Sequence, residues 1–169
     1  MRSAARIGDH PIHPMLIPYP LAFLSSALAF DAAGVARNDD QLCQTARVLT
    51  KVGLASALAA AVPGLIDYVT RVPKGEPRQI ATKHMISNLG ALACFAGAAL
   101  ARGDRTRPGP AVLALEAVGT AALSLGGWLG GSLAYHHQVG VMPEERRDEW
   151  LEVGGRSHLL REDAIPMRA

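Results

Sequence analysis

With 169 residues, 49% of them hydrophobic and 5% aromatic, the chain is sized for one domain and too short to hide many apolar helices in a water-soluble core. A net charge of +2 with no basic stripe interleaved by aromatics argues against a nucleic-acid partner. Two distant cysteines, Cys43 and Cys94, form neither a disulfide framework nor a CxxC pattern.

The first predicted element is an apolar run, Pro14 to Val35, entered through "GDHPIHPM" with His10 and His13 at its mouth. The polar stretch ahead of it does not fit the n-region of a signal peptide. Pro18 and Pro20 fall in its first turns, where a missing backbone donor costs little. Pro11 and Pro14 argue against a regular helix before Met15. The second run, Ala46 to Val69, contains "VGLASALAAAVPGLIDYV"; Pro63 predicts a kink one turn before Asp67. The third, Thr82 to Ala101, opens on His84, with Asn88 on the same helical face. The fourth, Pro110 to Ala134, carries "SLGGWLGGSLA" and closes on Tyr135, His136 and His137. In it, Gly126 with Gly130 and Gly127 with Gly131 make two small-xxx-small pairs that let another backbone approach, within the monomer or in a homo-oligomer.

Each run reaches the roughly 20 residues that a transmembrane helix needs. A soluble alanine-rich bundle would need a polar face on every helix, and "LASALAAAVPGLI" and "LGALACFAGAALA" offer almost none. The short polar links favour antiparallel neighbours. The expected fold is therefore an all-α, four-helix transmembrane bundle of up-down topology over residues 1–142. A polar, partly amphipathic tail follows over 143–169, with Trp150, Leu151, Val153, Leu159 and Leu160 as its apolar residues.

Four crossings return the chain to its starting side, so His10, His13, Asp67, His84, His136 and His137 should share one membrane level. Lys and Arg number eleven on that side (Arg2, Arg6, Arg71, Lys74, Arg78, Lys83 and five in the tail) against six on the other. The positive-inside rule then places both termini in the cytoplasm and the chain in the inner membrane.

Histidine is the commonest transition-metal ligand, and ionisable groups at membrane depth usually face a bundle interior. Three readings compete: two axial imidazoles on a b-type haem, a zinc, iron or copper site, or a proton relay or set of interfacial anchors. The favoured one is a redox-linked or metal-binding membrane subunit. His84 and His137 are its first ligands and His10 and His13 its alternates, with Asp67, Asn88, His136 and Tyr135 behind them as orienting groups. Its rivals are a non-catalytic scaffold and a small transporter. Asp31 and Glu116 are weaker candidates, read as snorkelling ends or half of a proton path.

"HPIHPMLIPYPLAF", "GLIDYV", "KHMISNLG" and "GGWLGGSLAYHHQVGV" together resemble the bacterial membrane family known as domain of unknown function 2231, over roughly residues 8 to 142. The resemblance implies a four-helix membrane domain. In some relatives that domain is joined to a Rieske-type iron–sulfur domain, which hints at a redox partner protein; the tail here lacks the Cys/His pairs such a cluster needs. The family pattern has Arg-His-Gly after the tyrosine, so His137 aligns with its histidine and His136 is extra.

Overall fold

The computed structural model describes residues 2–141. The tail residues singled out above, Trp150 to Leu160, lie outside that range.

The chain begins with a small antiparallel hairpin, β1 (Arg6–Ile7) against β2 (His10–Pro11), turned by Gly8 at φ 59. Helix α1 (Ile12–Leu16) follows and passes through the helical Ile17 into α2 (Pro18–Arg37), making one span of 26 residues. The helix thus starts ahead of Met15, contrary to expectation. Pro11 sits extended at the N-cap and Pro14 in the first turn, where neither needs a backbone donor. His10 and His13 consequently do not share a helix face: one is in a strand, the other in α1.

Asn38 ends α2 in the left-handed conformation, and Asp39 then caps α3 (Asp40–Thr70) by accepting from the Gln41 and Leu42 N–H groups. This turn sends the chain straight back. Helix α3 continues through Pro63, which is buried. Gly75, at φ 96, precedes α4 (Glu76–Arg102), and a proline again opens α5 (Pro110–Tyr135).

The four spans hold 26 to 31 residues, about 39–47 Å at about 1.5 Å per residue, against a hydrocarbon core of roughly 30 Å. They overrun the apolar runs of the sequence at most ends because polar caps and terminal turns extend each helix.

Helices α2 and α3 pack extensively on one another, as do α4 and α5, while the contacts of α2 with α5 and α3 with α4 are sparser. The bundle is two tight hairpins joined along a looser seam. Leu24, Ala91, Phe95 and Leu123 form its central cluster. Glycines make the hairpins tight: a Cβ on Gly53 would lie 2.5 Å from the Leu24 side chain, and one on Gly119 2.8 Å from the Phe95 ring.

Burial is inverted relative to a soluble bundle. Leu100 (82% exposed), Trp128 (77%), Val69 and Val62 point outward, while Ala27, Cys43, Ala46 and Ala91 are fully covered together with Asp31 and Glu116. Large apolar groups outside and small or polar groups inside suit a lipid solvent, where close packing and internal hydrogen bonds hold helices together. The even crossing count is visible directly, since Arg2 bridges Gly140 and Val141 just past α5.

Candidate functional site

Polar side chains collect at two opposite ends of the bundle. At the end holding the N-terminus, His13 on α1 places Nδ1 2.8 Å from the Ala60 carbonyl of α3, and His84 on α4 places Nδ1 2.8 Å from the Gly126 carbonyl of α5. A carbonyl only accepts, so both rings donate Nδ1–H. In the neutral imidazole this leaves Nε2 as an unprotonated lone pair, the tautomer in which Nε2 ligates metals. Each ring is pinned within its own hairpin, and the two meet across the seam with centroids 6.2 Å apart and planes at 89°.

Glycine provides the space. A Cβ on Gly64 would stand 2.7 Å from the His13 ring, one on Gly130 3.0 Å from His84, and one on Gly126 2.7 Å from the Asn88 amide. Asn88 donates to the His84 carbonyl at 2.8 Å, and its amide nitrogen lies 3.3 Å from Nδ1 and 3.4 Å from Nε2 of the same ring. Ser87 adds a bond to the Ala122 carbonyl at 2.8 Å. The two overlapping glycine pairs therefore divide: Gly126 and Gly130 receive α4, whereas Gly127 has nothing within 4 Å and Gly131 meets only its own Tyr135 ring at 3.9 Å.

Other expected members of the group are placed differently. The ring that meets His84 belongs to His13, and not to His137. His137 is half-buried in the turn after α5, where burial first and the neighbouring His136 second push its pKa down. His136 and Tyr135 are exposed, the tyrosine by 81%, and His10 is exposed on the hairpin. Asp67 is engaged elsewhere: its Oδ2 accepts from Ser3 Oγ at 2.6 Å, and its Oδ1 from the Ala4 and Ala5 N–H groups at 2.7 and 3.4 Å. It clamps the N-terminal segment over the end of the bundle. Asp67→Ala should loosen that segment, because hydrogen bonds to a charged group contribute about 1.5–3 kcal/mol. The check is hydrogen exchange, with the Ala4 and Ala5 amides exchanging markedly faster and the helix interiors unchanged. Among the described residues no group of three or more His, Cys, Asp or Glu side chains is placed to hold a metal ion, so the converging set is a pair of imidazoles.

At the opposite end, Arg102, the last residue of α4, is buried. It donates from Nη1 to Asp31 Oδ2 of α2 at 2.5 Å and from Nη2 to the Cys43 carbonyl of α3 at 2.7 Å, and reaches the Thr106 carbonyl as well. Asp31 and Glu116 are 0% and 1% exposed, which overturns their reading as snorkelling ends. Arg102 escaped sequence reasoning because it borders a polar loop and passes for a surface cation. The available signal was two carboxyls inside apolar runs at the same membrane level, which require a positive partner.

An all-α bundle with four membrane-length helices, lipid-suited exposure and polar clusters inside defines an integral membrane protein. The family model described as predicted membrane protein, DUF2231, matches residues 9–143, and the chain belongs to that family. No curated protein and no solved structure matches the chain.

Proposed function

We propose that the protein is a redox-linked membrane subunit that holds a haem b or a transition metal between the imidazoles of His13 and His84. The observation that carries this is the matched pair: two rings from opposite hairpins, both committed through Nδ1–H to backbone carbonyls, 6.2 Å apart at the seam. The two imidazoles would be the residues to hold such a group, since they are the rings that meet between the hairpins. His13 and His84 would hold a haem through two ring nitrogens, whereas a structural zinc takes four ligands. The backbone carbonyls fix ring orientation and raise ligand basicity. The two imidazoles come from opposite hairpins, at the seam where the helices contact one another least. When bound, such a group supplies one-electron chemistry. His13 and His84 hold it, and Asn88 keeps the His84 ring in place.

The remaining assignments belong to the same reading. The excess of basic residues at the imidazole end supports a topology with both termini on the cytoplasmic side of an inner membrane. A redox partner protein docks at that surface, beside exposed His10 and His136, and outward-facing Gly127 and Gly131 leave a face open to a second copy.

Protein extracted in mild detergent is expected to show a Soret band with iron in proportion. Either His13→Ala or His84→Ala should abolish the band, while His10→Ala and His137→Ala should keep it. Colourless wild-type protein free of iron, copper and zinc would overturn the proposal and favour the scaffold reading, in which the same two histidines only pin helices. That reading draws on the bond each imidazole makes inside its own hairpin.

A further inference from the structure

The Asp31–Arg102–Glu116 cluster takes no part in the imidazole site and stands apart from it at the other membrane surface. Fully ionised, it would bury two negative charges against one positive. An uncompensated charge in a low-dielectric interior costs several kcal/mol, and such groups neutralise instead. The hydrogen bonding carries the same message. Arg102 satisfies Asp31 Oδ2, whereas Asp31 Oδ1 and Glu116 Oε2 are buried with no donor. The two carboxyls interact with one another beside Arg102, so a single proton added to the pair balances the charge and supplies the donor that Asp31 Oδ1 and Glu116 Oε2 lack.

We propose that Asp31 and Glu116 form a proton-binding site, holding one shared proton beside Arg102 and exchanging it with water at this end of the bundle. A metal cation is the poorer occupant, because calcium and similar hard ions take about six or more oxygen ligands, and among the described residues no group of three or more acidic, histidine or cysteine side chains gathers here to supply them. The route to water is a cleft of about 250 Å³, lined by Glu116, Arg102, Thr50 and the charged groups Arg47, Lys51 and Asp104. Every helix of the bundle contributes to the surroundings. Helix α2 brings Asp31, α3 brings Cys43, Arg47 and Lys51, α4 brings Arg102, and α5 brings Glu116. Arg47 is tied to Asp104 at 3.3 Å, and Arg107 is tied to Asp40 at 2.5 Å, so both cations are already partnered. Lys51 remains at the mouth. In the exchange step the carboxyl O–H bond breaks, the proton passes to a water in the cleft as hydronium, and the cluster keeps the electron pair and one additional negative charge. Uptake is the reverse.

The test is infrared spectroscopy of the full chain in lipid nanodiscs at neutral pH. Wild-type protein is expected to show the carbonyl stretch of a buried protonated carboxyl, moving within minutes in D2O. Glu116→Gln, which keeps a neutral group of the same shape, should remove the band while circular dichroism and elution volume stay unchanged. Asp31→Asn should shift or remove it. Absence of the band in wild type, or its persistence in both variants, would overturn the site. A band that fails to exchange over hours would overturn the route to water. Should sodium chloride in place of choline chloride raise the thermal midpoint of wild type but not of Glu116→Gln, the occupant is a metal ion and the proton assignment fails.

Discussion

Arg102→Met is expected to lower stability by about 3–5 kcal/mol, the usual cost of removing one partner from a buried ion pair. Among the described residues the guanidinium is the cation bonded to Asp31, and it also satisfies the Cys43 carbonyl. Its loss strands Asp31 at zero exposure and cuts the tie between the end of α4 and the α2–α3 turn. Thermal unfolding in detergent, followed by circular dichroism, is the measurement. Adding Asp31→Asn to Arg102→Met should recover most of the loss, since a neutral cluster no longer needs the cation. If the double variant were no better than the single one, the loss would come from packing rather than from charge.

Gly64→Val is the second large effect. A Cβ at this position already falls 2.7 Å from the His13 ring, so the valine drives the imidazole off the Ala60 carbonyl. Overpacking costs about 1–3 kcal/mol and the lost hydrogen bond about 1 kcal/mol more. The substitution should also abolish whatever His13 and His84 hold, although neither ligand has been changed. Gly127→Ala is the control on the outward ridge. With nothing within 4 Å of its added Cβ, it should be neutral or stabilising by up to about 1 kcal/mol through helix propensity. Midpoints of the two variants, measured side by side, separate a glycine that makes room for a side chain from one that faces outward.

Much of this was legible in the sequence. Apolar length, short links and an even number of runs were enough for the four-helix fold and for the shared level of the N-terminus and the turn after Tyr135. The Gly126–Gly130 pair and the common face of His84 and Asn88 also follow from helical spacing alone. What spacing could not rank was which histidines meet. His137 aligns with a family pattern, but α5 ends at Tyr135, so the chain leaves the helix before that ring can enter the seam. His13 ranks only as an alternate ligand by sequence, with prolines that argue against a helix before Met15, yet prolines at a helix start are harmless, and α1 includes His13. Asp67 sits at the correct level but faces the N-terminal segment, whose path over the bundle no periodicity encodes. Arg102 stayed hidden because a charge at a span end normally reaches water, and only the tertiary pairing with Asp31 shows otherwise.

In a ligand role, His13 and His84 keep Nδ1–H on the Ala60 and Gly126 carbonyls and leave Nε2 unprotonated. Nitrogen-15 NMR of histidine-labelled protein in bilayers reports this directly, with His13→Gln and His84→Gln used to assign the signals. The expected result is a protonated Nδ1 and an unprotonated Nε2 on both rings. Protonation at Nε2, or on both nitrogens, at neutral pH would leave no lone pair to share and would contradict a ligand site there.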